Sequence, residues 1–493
     1  MSAVLPTLAE AAGHILSGQT PLWIVIGLVV GIFFGALPGI GATLGMAIVL
    51  PLTIPLEGTD AIILLISIYS GAMYGGSISA ILINVPGTAG AAATTFDGYP
   101  MSKRGQAINA LTTAASASAL GGFLTIAILI LISPLMIEIV LLFGSPHYFL
   151  LAILGLAMIS VITKGSVVKG LVAGSFGLML MTVGIAPTVP VQRFTFGSTV
   201  LYSGLSYIAI LIALFAIAEM IRLAAEDTIA EEAVAMEGSR IAGLRNAVSH
   251  PVLVAKSAVI GMLVGAVPGS GASVSNFLSY GEAVRSSKTP DAFGSGIPEG
   301  VIASESANNG TVGGSLVPTF AFGIPGSGST AVLLGGLIMH GLRPGPDLFT
   351  TQLDVTYAVL LALLVGSLVI VLVGLTVIPR AGYLTQIDTH VIIPAIIVLS
   401  FLGSLALRNN WVDLLTVVLL GFVGFYLKRH EYSVIAFVLG AILGPIAESN
   451  LYRSLAVSGG SFDIFVSDPL AVGLLLAIVV ILLGPALKAA LTD

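Results

Sequence analysis

The amino-acid sequence predicts an all-α polytopic integral membrane protein, built from two inverted-topology repeats with re-entrant hairpins and broken helices. The chain is 56% hydrophobic and only 9% charged, whereas soluble domains carry roughly 25% charged residues. A glycine–proline motif occurs once in each half of the chain. A pair of basic residues follows the motifs in the first half but lies between them in the second half. Composition gives the membrane class, and the other two features give the repeat.

The apolar segments are long, uncharged and about 10–13 in number, as transmembrane helices require. Transmembrane β-strands would alternate apolar and polar residues over about 10 positions, and this alternation is absent from the sequence. The sequence contains no cysteine, which excludes disulfides and thiolate metal sites. A multi-pass helical membrane protein follows from these properties.

The two copies of the first motif are residues 31–42 (GIFFGALPGIGA) and 261–272 (GMLVGAVPGSGA), identical at seven of twelve positions. A second pair follows in the same order, at 75–87 (GGSISAILINVPG) and 313–326 (GGSLVPTFAFGIPG). Paired helix-breaking motifs in the two halves of an apolar chain indicate the binding site of a secondary transporter.

Basic residues set the orientation, because cytoplasmic loops are enriched in Lys and Arg. Lys103 and Arg104 follow the second motif of the first half, whereas Arg285 and Lys288 precede it in the second half. With all four in the cytoplasm, the same motifs are threaded through the membrane in opposite directions. The stretches on either side of Pro268 are also shorter than the roughly 20 residues of a full span, so a hairpin that enters and returns is expected.

These boundaries divide the chain into two repeats and a linker. The first repeat is expected at 1–221, with a hairpin at 21–56, a broken helix at 61–100 and scaffold helices at 106–221. A cytoplasmic linker is expected at 222–250. The second repeat is expected at 251–493, with a hairpin at 251–284, a broken helix at 291–342 and scaffold helices at 354–487.

The motif residues are the candidates for substrate binding. Proline removes a backbone donor and glycine permits left-handed backbone, so each motif frees amides and carbonyls at the depth of the membrane. Freed amides can hold an anion, and freed carbonyls can hold a cation. The candidate substrate residues are Pro38, Gly39, Gly41, Thr43, Pro86, Gly87, Pro268, Gly269, Ser270, Gly271, Pro325 and Gly326.

Neutral oxygens beside the motifs are candidate ligands for a coupling sodium ion, because they avoid burying an unpaired charge. We expect one set per half: Thr43, Asn84 and Thr88 in the first, and Ser273, Ser327 and Ser329 in the second. Glu305, with Asn308 and Asn309, is the alternative coupling group if the ion is a proton. A structural alternative places Glu299 and Glu305 at the cytoplasmic interface, paired with Arg285.

Other function classes lack the residues they need. No GxxxxGK[ST] loop is present, so transport would draw on an ion gradient or on another subunit. No histidine is placed to activate Ser270, so an enzyme is not predicted, and nothing indicates nucleic-acid binding. An uncoupled channel-like pore and an energy-transducing membrane subunit remain alternatives.

Four segments resemble the large membrane subunit of the tripartite tricarboxylate transporters. They are GALPGIGATLG at 35–45, YGGSISAILINVPGTAG at 74–90, FDGYPMSKRG at 96–105 and IPEGVIASESANNG at 297–310. The resemblance implies a symporter of the bacterial inner membrane that imports tricarboxylates or related carboxylates, coupled to sodium or protons, by an elevator mechanism. It also implies two partners, a small four-helix membrane subunit and a periplasmic solute-binding protein.

Overall fold

The computed structural model describes residues 4–162, 167–186, 191–224, 236–377 and 389–492. These residues are helical almost throughout, with a single pair of two-residue strands, Gly184–Ile185 and Gln192–Arg193. Six helices are long and apolar enough to cross a membrane, or up to eight if each of two bent helix pairs counts as one span. The prediction of an all-α polytopic membrane protein is confirmed.

The helices up to the linker are α1 (Val4–Leu16), α2 (Thr20–Ala36), α3 (Gly41–Val49), α4 (Gly58–Ile83), α5 (Thr95–Met101), α6 (Ala107–Leu141), α7 (Ser145–Ile162), α8 (Val167–Leu180), α9 (Tyr207–Leu211) and α10 (Ala218–Ala224). The remaining helices are α11 (Arg240–Ser249), α12 (Pro251–Gly265), α13 (Gly271–Ser286), α14 (Pro298–Phe322), α15 (Gly328–Met339), α16 (Leu353–Thr376), α17 (Thr389–Arg408), α18 (Trp411–Arg429), α19 (Val434–Val457) and α20 (Pro469–Thr492). A π-helical turn at Ile212–Ile217 joins α9 to α10.

Glycines allow α2 to pack directly on the backbone of α4. A methyl group placed on Gly31 would lie 2.2 Å from the carbonyl oxygen of Ile68, and one placed on Gly35 would lie 2.2 Å from that of Ala72. A side chain at either glycine would therefore force the helices apart. Because the contacts advance together along both chains, α2 and α4 run parallel.

The same contact recurs between α12 and α14. A methyl group on Gly261 would lie 2.3 Å from the carbonyl oxygen of Ala307, and one on Gly265 would lie 2.6 Å from that of Thr311. The glycines of the two helix pairs occupy equivalent places in the repeated motif. The units α2–α3–α4 and α12–α13–α14 thus have the same internal packing.

The two units meet where α4 crosses α14. Asn308 donates a hydrogen bond to the carbonyl oxygen of Met73 (3.0 Å). Earlier on α4, Tyr69 interacts with Ser315, and later on α4, Ser77 faces Glu305. Rising numbers on α4 match falling numbers on α14, so these equivalent helices run antiparallel, as an inverted repeat requires.

The remaining helices form flanking groups that exchange partners between the halves. Helix α19 of the second half packs on α7 and α8 of the first half. Reciprocally, the turn at Ile212–Ile217 and α10 of the first half pack on α17 and α18 of the second. Helix α11, in the expected linker, packs on α6. The side of the membrane on which the linker lies stays a prediction.

The second motif ends one helix and leads into the next. Residues 75–83 of the motif are the last residues of α4, and residues 84–87 form the loop that follows it. The helix ends because Asn84 is left-handed (φ 58°), and α14 ends in the same way at Gly323 (φ 65°). The chain then folds back, so that the Gly87 amide donates to the Gly76 carbonyl oxygen (3.2 Å).

Candidate functional site

The first hairpin tip is Pro38–Ile40, between α2 and α3. Gly39 and Gly41 both have positive φ (80° and 69°), which glycine adopts without strain. A methyl group on Gly41 would lie 3.6 Å from the carbonyl oxygen of Gly87, so this tip lies against the Pro86–Gly87 loop of its own half.

The second tip, Pro268–Ser270, lies against its own half in the same way. Its glycines Gly269 and Gly271 also have positive φ (77° and 66°). The Gly269 amide donates to the carbonyl oxygen of Gly326 (2.9 Å), which follows Pro325. Each predicted proline–glycine loop therefore supports the predicted tip of the same repeat.

Residues just beyond each tip also contact the other half of the chain. Thr43 Oγ1 lies 2.9 Å from Ser329 Oγ. At the other tip, a methyl group on Gly90 would lie 2.9 Å from the Cβ of Ala272, the residue before Ser273. Two clusters result, each containing the tip of one half and the loop of the other.

The two expected sodium sets stay a prediction, and their members lie in different surroundings. Asn84 is exposed at the end of α4, and none of the described contacts joins it to Thr43. Ser327 caps α15 by accepting a hydrogen bond from the Thr330 amide (3.2 Å). Thr88 remains buried, and its hydroxyl oxygen has no hydrogen-bond partner among the described residues.

Asn308 lies beside Gly90 in the cluster at the second tip. Its amide nitrogen is used by Met73, but its Oδ1 is buried and has no hydrogen-bond partner in the described structure. A methyl group on Gly90 would lie 2.2 Å from that oxygen. An unpartnered buried oxygen is costly unless a water or ion satisfies it. Both polar side-chain atoms of the neighbouring Asn309 are also without partners among the described residues.

Glu305 is fully buried at the crossing of α4 and α14. Ser118 Oγ donates to its Oε2 (2.8 Å), and Thr94 Oγ1 donates to its Oε1. Glu305 is therefore not paired with Arg285, as the structural alternative had it, because Arg285 pairs with Glu282 (2.7 Å). Glu299 contacts His250 (3.5 Å) and not Arg285.

Asp97 is a buried carboxylate that the sequence analysis did not single out. Its Oδ1 accepts backbone hydrogen bonds from Gly294 (3.0 Å), Gly296 (2.8 Å) and Ile297 (3.0 Å), and its Oδ2 accepts one from the Tyr280 hydroxyl (2.8 Å). It therefore fastens the α13–α14 loop of the second half to α5 of the first. Its place in the FDGYP segment, just after the predicted site loop, is the signal that could have drawn attention to it.

A cavity of about 400 Å³ borders the first tip. Gly39 and Thr43 line one side, and Glu219 and Lys428 line the other. Lys428 Nζ lies 2.5 Å from Glu219 Oε2, and Arg222 Nε lies 2.8 Å from Glu219 Oε1. This volume lies within the range of small-ligand sites, and its wall combines helix N-terminal backbone with cationic side chains.

Glu219 and Lys428 line this cavity but could not be recognised as site residues from the sequence. Both lie near the ends of apolar helices, where charges ordinarily only mark the membrane boundary. Among the described residues, no group of three or more His, Cys, Asp or Glu side chains is arranged to hold a metal ion.

A family model described as the tripartite tricarboxylate transporter TctA family matches residues 22–439. An Agrobacterium vitis protein, "Uncharacterized 52.8 kDa protein in TAR-I ttuC' 3'region", is 34% identical over 476 residues, covering 95% of this chain and 94% of that protein. A second, "Uncharacterized protein in TAR-II ttuC' 3'region" of the same organism, is 32% identical over 231 residues, covering 46% of this chain and 96% of that protein. No solved structure matches the chain.

Proposed function

The chain belongs to the tripartite tricarboxylate transporter TctA family, and from this premise we propose that it is the large membrane subunit of a cation-coupled symporter that imports tricarboxylates or related carboxylates. The observation that carries the proposal is the crossing of antiparallel α4 and α14, which brings two equivalent helix–tip–helix units together. Units related in this way can expose one central site alternately to the two sides of the membrane.

The substrate would bind at the tips. A tricarboxylate needs donors and positive potential, and the first turn of a helix supplies unpaired amides with the positive end of the helix dipole. Helix α3 begins at Gly41, directly after the first tip, and the cavity of about 400 Å³ adjoins it. The second tip would supply the equivalent groups when the other side of the protein is open.

The coupling ion would bind beside Asn308 and Thr88 if it is sodium. Both residues are buried and carry an oxygen without a partner among the described residues, in agreement with a cation that needs several oxygen ligands. If the ion is a proton, Glu305 is the coupling group, because its carboxyl group can titrate whereas amides and hydroxyls cannot near neutral pH. Replacing Glu305 with Gln would then remove the dependence of uptake on a pH gradient.

The word "tripartite" in the family description supports the two expected partners, a small four-helix membrane subunit and a periplasmic solute-binding protein. We place the complex in the bacterial inner membrane. An elevator mechanism is supported by the division between the packed tip-bearing units and the flanking groups, α7–α8–α19 and α17–α18–α10. With the linker in the cytoplasm, single cysteines introduced at positions 103 and 285 of this cysteine-free chain would both be labelled from the cytoplasmic side.

The test is uptake of a panel of carboxylates into proteoliposomes that contain all three subunits, with sodium and proton gradients varied separately. We expect concentrative uptake of a tricarboxylate driven by one of the two gradients. Uptake that stops at equilibrium and ignores both gradients would identify an uncoupled pore. Absence of carboxylate uptake under every gradient would refute the proposed function.

A further inference from the structure

The segment that contains Glu219 recurs in the second half of the chain. Residues 217–219 and 446–448 both read Ile-Ala-Glu. The first copy lies where the π-helical turn at Ile212–Ile217 passes into α10, and the second lies on α19 just after the helix-internal Pro445. These helices hold equivalent places in the two flanking groups, so Glu219 and Glu448 are equivalent residues of the repeat.

Both glutamates are paired with cations at the wall of a cavity. Arg193 donates from Nη1 and Nη2 to the two carboxylate oxygens of Glu448 (2.6 Å and 3.2 Å), beside a cavity of about 300 Å³. Glu219 is bound by Lys428 (2.5 Å) and Arg222, beside the cavity of about 400 Å³ at the first tip. Arg193 Nε is also buried without a hydrogen-bond partner among the described residues, so this guanidinium keeps a donor available.

The two clusters belong to opposite ends of the molecule. Equivalent residues of an inverted repeat are exchanged by an axis in the membrane plane, and α4 and α14 run antiparallel. A substrate that crosses between the two sides of the membrane would therefore meet one cluster at each end. In this structure, Gly39 of the first tip borders the Glu219 cavity. The second tip is absent from the described lining of the Glu448 cavity.

We propose that these clusters are two carboxylate-exchange sites, in which Glu448 and Glu219 hold the cations until a substrate carboxylate displaces them. This deepens, and rests on, the proposed transport of tricarboxylates. At one end a substrate carboxylate competes with Glu448 for Arg193, and at the other it competes with Glu219 for Lys428 and Arg222. The exchange keeps the cations paired whether substrate is present or absent, and the displaced glutamate stays at the wall of the cavity, where water can solvate it.

The experiment measures the KM for citrate from each side, in right-side-out and inside-out vesicles that contain all three subunits. Arg193→Gln should raise the citrate KM at least about tenfold from the outside only, and Lys428→Gln should do so from the inside only, because truncating a close charge pair costs at least one factor of ten. Glu448→Gln and Glu219→Gln should lower the KM on the same respective sides, because the internal competitor has lost its charge.

Lys256→Gln is the matched control. Lys256 pairs with Glu282, which also binds Arg285, so the change removes one cation from a similar trio that lies away from both cavities. Its KM should stay within about twofold of the unmodified protein, taking surface ion pairs as worth little. If Arg193→Gln raises the KM only from the inside and Lys428→Gln only from the outside, the exchange sites are supported and the linker lies outside.

Two results would overturn the proposal. Equal KM changes from both sides would show that the clusters only hold the helices together. A KM unchanged or raised by Glu448→Gln and Glu219→Gln would show that the glutamates do not compete with substrate. These two variants preserve the shape of the side chain, so they test the proposal even if a cation variant folds poorly. If the unmodified protein takes up no tricarboxylate from either side, the proposed function fails instead.

Discussion

The direct packing of α2 on α4 predicts a ranked loss of stability when its glycines become alanine. In Gly35→Ala, the new methyl group would lie 2.2 Å from the Ala72 carbonyl oxygen, against the roughly 3.4 Å of ordinary contact, so the helices must separate by about 1 Å. Overpacking of this kind costs about 1–3 kcal/mol, while alanine regains up to about 1 kcal/mol of helix propensity. We expect a net loss of about 1–2 kcal/mol.

Gly265→Ala should be milder, because its methyl group would lie 2.6 Å from the Thr311 carbonyl oxygen. Gly366→Ala is the matched control, since Gly366 is also buried inside a helix but its nearest neighbour is a Leu28 methyl group at 3.6 Å. Thermal unfolding of the purified proteins in detergent measures the order: Gly35→Ala least stable, then Gly265→Ala, with Gly366→Ala unchanged or stabilised. Equal unfolding temperatures for all three would refute the argument that backbone contact requires these glycines.

Three further outcomes are expected. Gly39→Val should abolish uptake while the protein still inserts, because its side chain would meet Arg222 at a positive φ of 80°; Gly459→Val, with a positive φ of 63° and open space around it, should retain uptake. If sodium is the coupling ion, Thr88→Ala should raise the sodium concentration for half-maximal uptake at least threefold, whereas Ser400→Ala, which also removes a buried unpartnered hydroxyl, should not. Asp97→Asn should destabilise the α13–α14 loop by about 2 kcal/mol, measured as faster proteolysis at 287–297, since hydrogen bonds to a charged group contribute about 1.5–3 kcal/mol.

The helix class and the hairpin tips could be predicted because their causes are local. Pro38 and Pro268 lack an amide hydrogen, and the glycines that follow adopt positive φ, so the helices must end there whatever packs around them. The end of α4 was less readable, because Asn84 rather than a glycine adopts the left-handed conformation. The helix thus continues to Ile83 through residues 75–83 of the motif, and only residues 84–87 form the loop.

The partners of the site residues could not be predicted, because they depend on which helices cross. The sequence groups Thr43 with residues of its own half, yet the crossing of α4 and α14 brings it to Ser329. The register between the two repeats was equally hard to predict, because aligning the two GGS triplets of the sequence pairs Gly75 with Gly313. In the structure a methyl group on Gly75 would meet the Ile32 carbonyl oxygen (2.5 Å), and the equivalent contact, with Met262 (2.1 Å), belongs to Gly314.

The antiparallel crossing of α4 and α14 has a consequence for how such a chain could have arisen. An interface between equivalent elements related by a two-fold axis is isologous, so each unit presents the same surface that it receives. One helix–tip–helix unit, inserted into the membrane in either direction, could therefore pair with an oppositely inserted copy of itself. A duplicated and fused gene would inherit that pairing, and the loop held by Asp97 would then lock the two directions together.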